Sequence, residues 1–85
     1  MTKEYETALL QRILVDPSVM VGKPVIRGTR LTVEFILNNL AQGRTSAEII
    51  SEYQGLTGED IQACLLFATK ALQDVSFMPL GTKAA

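Results

Sequence analysis

The sequence has no histidine and no tryptophan, a single cysteine, only two tyrosines and three phenylalanines, and no sign of charge in clear excess. Without histidine, the commonest general base and the commonest metal ligand are both missing, so imidazole chemistry is excluded. A lone Cys64 cannot close an internal disulfide. Apolar runs last only a few positions, so no stretch is long enough to span a bilayer. The opening "MTKEYETALLQRI" mixes acids and bases where a secretion signal would carry a basic head and then an apolar run, and the default compartment is the cytoplasm. Eight basic against nine acidic residues give a formal charge of -1. Affinity for nucleic acid rests largely on Lys and Arg displacing phosphate counterions, so the chain as a whole is no strong polyanion binder, and such a role requires local clustering of bases. No internal repeat or low-complexity tract is present.

What the chain does have is 85 residues, almost half of them hydrophobic. A core of this size buries only about 60–65% of the surface its unfolded chain exposes, so one small domain is expected, gaining stability by pairing as a homodimer. The boundaries read as a single domain over residues 1–75 and an extended or disordered tail over 76–85, where "FMPLGTKAA" carries Pro79 and Gly81 and no periodicity.

Apolar spacing from Lys3 to Arg12 predicts a short N-terminal helix. "ILV" (Ile13–Val15) and "PVI" (Pro24–Ile26) predict two brief strands, pairing with each other or across a dimer. After Arg30 the period becomes helical, and three threonines stand where N-caps belong. Thr32 opens a helix with Val33, Ile36, Leu37 and Leu40 on one face, ended by Gly43. Thr45 and Glu48 form a capping box ahead of Ile49, Ile50 and Tyr53, and Thr57 and Asp60 form another. The last helix then has an expected buried stripe of Ile61, Cys64, Leu65, Ala68 and Leu72. The short links "GRT" and "QGL" make the last two helices turn sharply on each other, which is helix-turn-helix geometry, with Gly55 at the turn. The fold class is therefore mainly α, a three-helix bundle preceded by a short helix and one or two short strands.

"GKPVIRGTR" (Gly22–Arg30) gathers Lys23, Arg27 and Arg30. Its glycines and proline read as structural; one arginine is expected to pair with Asp16 or Glu34, while Lys23 is expected to be solvated. If duplex DNA is bound, phosphate contacts fall to Lys23, Arg27, Arg30 and Arg44. In a helix-turn-helix unit the N-terminal part of the second helix meets base edges. Here that set is Thr57, Gly58, Glu59, Gln62, Ala63 and Leu66, which holds an acid and no base; only Gln62 has a side chain suited to adenine, so this helix is a poor reader. Phe35, Leu66 and Phe67 lie off the main stripes of their helices and are expected to form a partner or dimer surface. Cys64 reads as a core residue, Glu48 and Glu52 as a solvated face, and no nucleophile, metal set or cofactor motif stands out, so an enzyme is disfavoured.

"DPSVMVGKPVIRGTRLTV" followed, one glycine-ended helix later, by "YQGLTGEDIQACL" resembles domain-of-unknown-function family 433, whose pattern runs "DP…GGKPxIxGTRIxV" and then "YxxLTxEDIxAAL". The resemblance spans Asp16 to Ala68. Val21 departs from it, standing where the family usually has the first of two glycines, and Gly58 is a second departure. The resemblance implies a homeodomain-like helix-turn-helix fold and the role of an antitoxin of the VapB kind, encoded beside a PIN-type nuclease. The leading expectation is a homodimer that binds that nuclease and its own promoter DNA; the alternative is a homodimeric protein-interaction module with no nucleic-acid contact.

Overall fold

The computed structural model describes residues 1–73; the expected tail over 76–85 lies outside the described residues. Helix α1 covers Lys3–Leu10, strand β1 Ile13–Leu14, strand β2 Val25–Ile26, and helices α2, α3 and α4 cover Val33–Ala41, Ser46–Glu52 and Gly58–Gln73. The protein is mainly α, with α2, α3 and α4 forming the three-helix unit.

The threonines cap as their spacing requires. Thr32 Oγ1 accepts from the Phe35 N–H at 3.0 Å. Thr45 Oγ1 accepts from the Glu48 N–H at 3.1 Å while Glu48 Oε1 accepts from the Thr45 N–H at 2.8 Å. Thr57 and Asp60 repeat the exchange at 3.2 and 3.0 Å. A fourth threonine, Thr2, caps α1 through the Tyr5 N–H. Each cap satisfies a backbone donor that the helix cannot, worth about 1 kcal/mol.

The strands pair within the chain, antiparallel, with Ile13 opposite Ile26 and Leu14 opposite Val25, and Val25 also bridges Thr32. This small sheet ties the entry of α2 to the end of α1. Beneath it lies the core: Leu9, Ile26, Ile36, Ile49, Ile61, Cys64 and their neighbours.

α4 is the central element, packed against α1, α2 and α3. Its buried stripe differs from the expected one. Ile61 and Cys64 are inside, but Leu65 is 48% exposed and Leu72 69%, whereas Ala63 and Leu66 are buried. Two causes account for this. α1 packs on a second side of α4 and widens its buried arc toward Ala63 and Leu66. At 16 residues, α4 is also ~24 Å long against ~13.5 Å for the nine-residue α2, so α2 cannot cover it along its whole length, and Leu72 in its last turn stays exposed.

Candidate functional site

The "GKPVIRGTR" segment is β2 and the tight turn that follows it. The Ile26 N–H donates to the Leu31 carbonyl at 2.9 Å and the Thr29 N–H to the Ile26 carbonyl at 3.0 Å, closing the turn over Arg27–Arg30. The Thr29 hydroxyl braces it from inside, donating to the Ile26 carbonyl and accepting from the Leu31 N–H. Gly28 sits at φ +82°, a region that costs a side-chain-bearing residue about 1–2 kcal/mol. The shape of the segment is thus held by its own backbone.

Its cations are largely engaged on the chain itself. Arg27 Nε donates to the Gln11 carbonyl at 2.8 Å, which pins the end of α1. Neither arginine of the segment pairs with Asp16 or Glu34 as expected. Instead Lys23, expected to be solvated, meets Glu34 at 3.1 Å, and Asp16 accepts from the backbone and hydroxyl of Ser18, the backbone bond chiefly holding its carboxyl below the usual range. Arg44 donates to Asn39 Oδ1 at 3.0 Å and pairs with Glu52, whose hydrogen bond foremost raises the guanidinium pKa. Asn39 is buried and donates to the Phe35 carbonyl, so Arg44 completes a satisfied network at the end of α2. Arg30 is exposed and makes no ion pair among the described residues.

One flank of α4 is covered by α1 and the turn after it through three side-chain links. Arg12 Nη1 reaches Asp60 Oδ1 at 3.1 Å, the Tyr5 hydroxyl donates to Gln62 Oε1 at 3.0 Å, and Lys70 Nζ meets Glu6 at 3.1 Å. Of the residues positioned to meet bases, Ala63 and Leu66 are buried, and Gln62 is exposed but already bonded to Tyr5. Leu66 is accordingly not the surface residue that sequence reasoning expects. Placing this flank against a duplex would require α1 to leave it.

The other flank is open among the described residues. Val33, Leu37 and Ala41 of α2 face Phe67, Ala68 and Leu72 of α4 across a groove of about 610 Å³, whose polar lining among the described residues is Glu34 and Asn38. Phe67 therefore lies in a groove wall, as an apolar contact surface requires. Phe35 does not join it: 37% exposed, it packs edge-on against Tyr53 at 5.5 Å on the outer side of α2 and α3. The three expected surface residues thus occupy three separate places. Leu37, Ala41 and Leu72 were missed as groove residues. The signal that could have found them is the excess length of α4 over α2.

Cys64 is buried, and loss of water contact pushes its thiol up to about 12, with the Asp60 charge adding to the shift. It is a core residue. No group of three or more metal-ligating side chains gathers among the described residues, and no described helix is long and apolar enough to cross a membrane.

A capped three-helix unit whose turn segment carries "GKPVIRGTR" and whose last helix opens "LTGED" defines a small helical domain of the helix-turn-helix type. The model of the family described as "Protein of unknown function (DUF433)" matches residues 13–68, and the chain belongs to that family. The structure is similar to the crystal structure of a DUF433 member protein from Anabaena variabilis, with a TM-score of 0.70 and 30% identity, covering 82% of this chain and 69% of that one. An uncharacterized protein of Archaeoglobus fulgidus is 60% identical over 25 residues, 29% of this chain and 69% of that protein. α1 and the last turn of α4 fall outside the family match.

Proposed function

We propose that the protein is a cytoplasmic, non-catalytic binding protein, the antitoxin half of a type II toxin–antitoxin pair, which acts by holding a PIN-type nuclease. The observation that carries the protein-binding part is the apolar groove between α2 and α4: a domain this small has little reason to leave Leu72 exposed beside half-buried Leu37 and Ala68 unless a protein surface covers them. The family resemblance, which implies an antitoxin of the VapB kind, supplies the nuclease.

Duplex DNA is the lesser part of this reading. Lys23 and Arg44 are committed to carboxylates, and α1 covers the flank of α4 that would enter a groove. Arg30, with the guanidinium end of Arg27 that the Gln11 carbonyl does not use, is left to meet phosphates, which yields weak, salt-sensitive binding with little sequence preference. These same engagements favour a second reading, a homodimeric protein-interaction module without nucleic-acid contact.

The test is co-expression with the product of the neighbouring gene, which the family resemblance implies is a PIN-type nuclease. The two chains are expected to purify as one complex in which nuclease activity is suppressed. A nuclease that stays fully active and separate in excess of this protein removes the antitoxin role.

A further inference from the structure

We propose that Arg12 and Arg27 together form a binding site for a single phosphodiester, the backbone group of a nucleic-acid strand. This deepens the phosphate-binding part of the reading above and rests on it, but not on the nuclease.

The strands bring the two arginines together. The ladder that pairs Ile13 with Ile26 runs one step further, where the Arg27 N–H donates to the Arg12 carbonyl at 2.7 Å. Residues opposed in an antiparallel pair put their side chains on one face, so two like charges stand side by side, an arrangement that destabilises a sheet unless something neutralises it. Both side chains line one depression of about 360 Å³, completed by Ala8, Gln11 and Asp60.

Each guanidinium is held at one end and open at the other. Arg27 Nε donates to the Gln11 carbonyl at 2.8 Å, which leaves both of its Nη nitrogens unshared among the described residues. Arg12 is held through Nη1, by Asp60 at 3.1 Å and the Thr57 hydroxyl at 3.5 Å, which leaves Nε and Nη2. Planar donors already fixed in this way lose little freedom when an oxyanion arrives.

Charge selects the ligand. Two guanidiniums and the Asp60 carboxylate leave a single positive charge in excess. A phosphodiester carries a single negative charge and balances it, whereas a phosphate monoester, at about −1.5 to −2 near pH 7, brings an excess that Asp60 repels. Arg30, exposed across the turn and without an ion pair among the described residues, offers a further contact that a strand with a phosphate at every nucleotide can use whatever its sequence.

Fluorescence anisotropy of the full chain with a random duplex over a range of salt tests this, with circular dichroism to confirm that each variant folds. The wild type is expected to bind. Arg27→Gln should weaken binding about tenfold at low salt and lower the log–log salt slope by about 0.9, one phosphate contact. Because Asp60 balances either arginine alone, Arg12→Gln should do the same and the double variant little more. Lys70→Gln, which removes an equal charge elsewhere on α4, should leave the slope unchanged. Losses that add in the double variant, to a fall of about 1.8, would mean two separate contacts and overturn the shared site. Binding untouched by Arg27→Gln overturns it too, as does a wild type that binds no duplex at low salt. If Arg12→Gln does not fold, the side-chain Nε–H signals of the wild type decide by nuclear magnetic resonance. Dimethyl phosphate is expected to shift those of Arg12 and Arg27 together, and a shift in only one, or in neither, overturns the proposal. Tighter binding of inorganic phosphate than of dimethyl phosphate would make this a free-phosphate site, and equal, Arg27-dependent binding of polyglutamate would make it a protein contact; either result overturns it. The antitoxin role is separable. A protein that binds the duplex as expected but never engages the nuclease keeps the site and loses that role, and one that suppresses the nuclease but fails the duplex test loses only the site.

Discussion

The two flanks of α4 are built in opposite ways. Toward α1 the helix is covered and its polar groups are matched: Asp60 to Arg12, Gln62 to Tyr5, Lys70 to Glu6. Toward α2 its last turns are apolar and, among the described residues, uncovered, with Leu72 and Ala71 exposed beside a groove. A surface that reads a duplex must offer donors and acceptors that are free, because base discrimination is hydrogen bonding at base edges. The covered flank has its Gln62 carbonyl, Asp60 and Lys70 already engaged. A surface that binds protein needs apolar area to remove from water, and the open flank has that. One helix thus closes the domain with one side and presents the other.

The largest predicted effect comes from breaking the covered flank. Asp60 is buried, accepts from the Thr57 N–H and pairs with Arg12, so Asp60→Ala removes a cap and strands a partly exposed guanidinium together. A loss of about 2–4 kcal/mol is expected in urea unfolding. A loss near zero would mean that α1 is not fastened to α4 through this residue.

Cys64 probes the interior between the flanks. Cys64→Ser should cost about 1–3 kcal/mol, by burying a hydroxyl without a partner. The wild-type thiol should react with a disulfide reagent at pH 8 only as fast as the chain unfolds. Its folded pKa is raised from 9.0 to about 12, so the unfolded chain loses the proton first as pH rises. Stability from this residue is therefore intact below about pH 9 and falls between there and about pH 12. Rapid labelling of the folded chain would contradict the packing.

A smaller change, outside both flanks and opposite in sign, concerns Val21. This β-branched residue sits at φ +57°, 94% exposed, directly before Gly22 at φ +80°. Its branched side chain has neither burial nor backbone freedom to favour that conformation. Val21→Gly should stabilise by about 0.5–1.5 kcal/mol, since relief of left-handed strain exceeds the entropy cost of glycine. A destabilised variant would show that the exposed valine has a contact with a partner.

How much of this could be read from the residues depends on distance along the chain. The caps at Thr32, Thr45 and Thr57 were legible because donor and acceptor lie three residues apart, and a spacing fixes the geometry. The two short strands were legible for the same local reason. The Lys23–Glu34 pair and the Arg44–Asn39–Glu52 network were not, since each depends on how separate elements pack. Leu65 and Leu66 exchanged roles because helical periodicity describes one buried face, whereas α4 has neighbours on more than one side. The groove was missed because it depends on how α2 and α4 pack, which the periodicity of α4 alone does not record.

The measurement that tests the contrast between the flanks most directly is duplex binding by fluorescence anisotropy. It would use the DNA upstream of the protein's own coding region and a random duplex of equal length, with wild type and Gln62→Ala titrated over a range of salt. The structure predicts similar weak affinity for both duplexes, a steep fall with salt of about 0.9 in log–log slope for each phosphate contact, and no change in Gln62→Ala. Much tighter binding of the upstream duplex, erased by Gln62→Ala, would show that α4 reads bases through the flank that α1 covers, and would contradict the account.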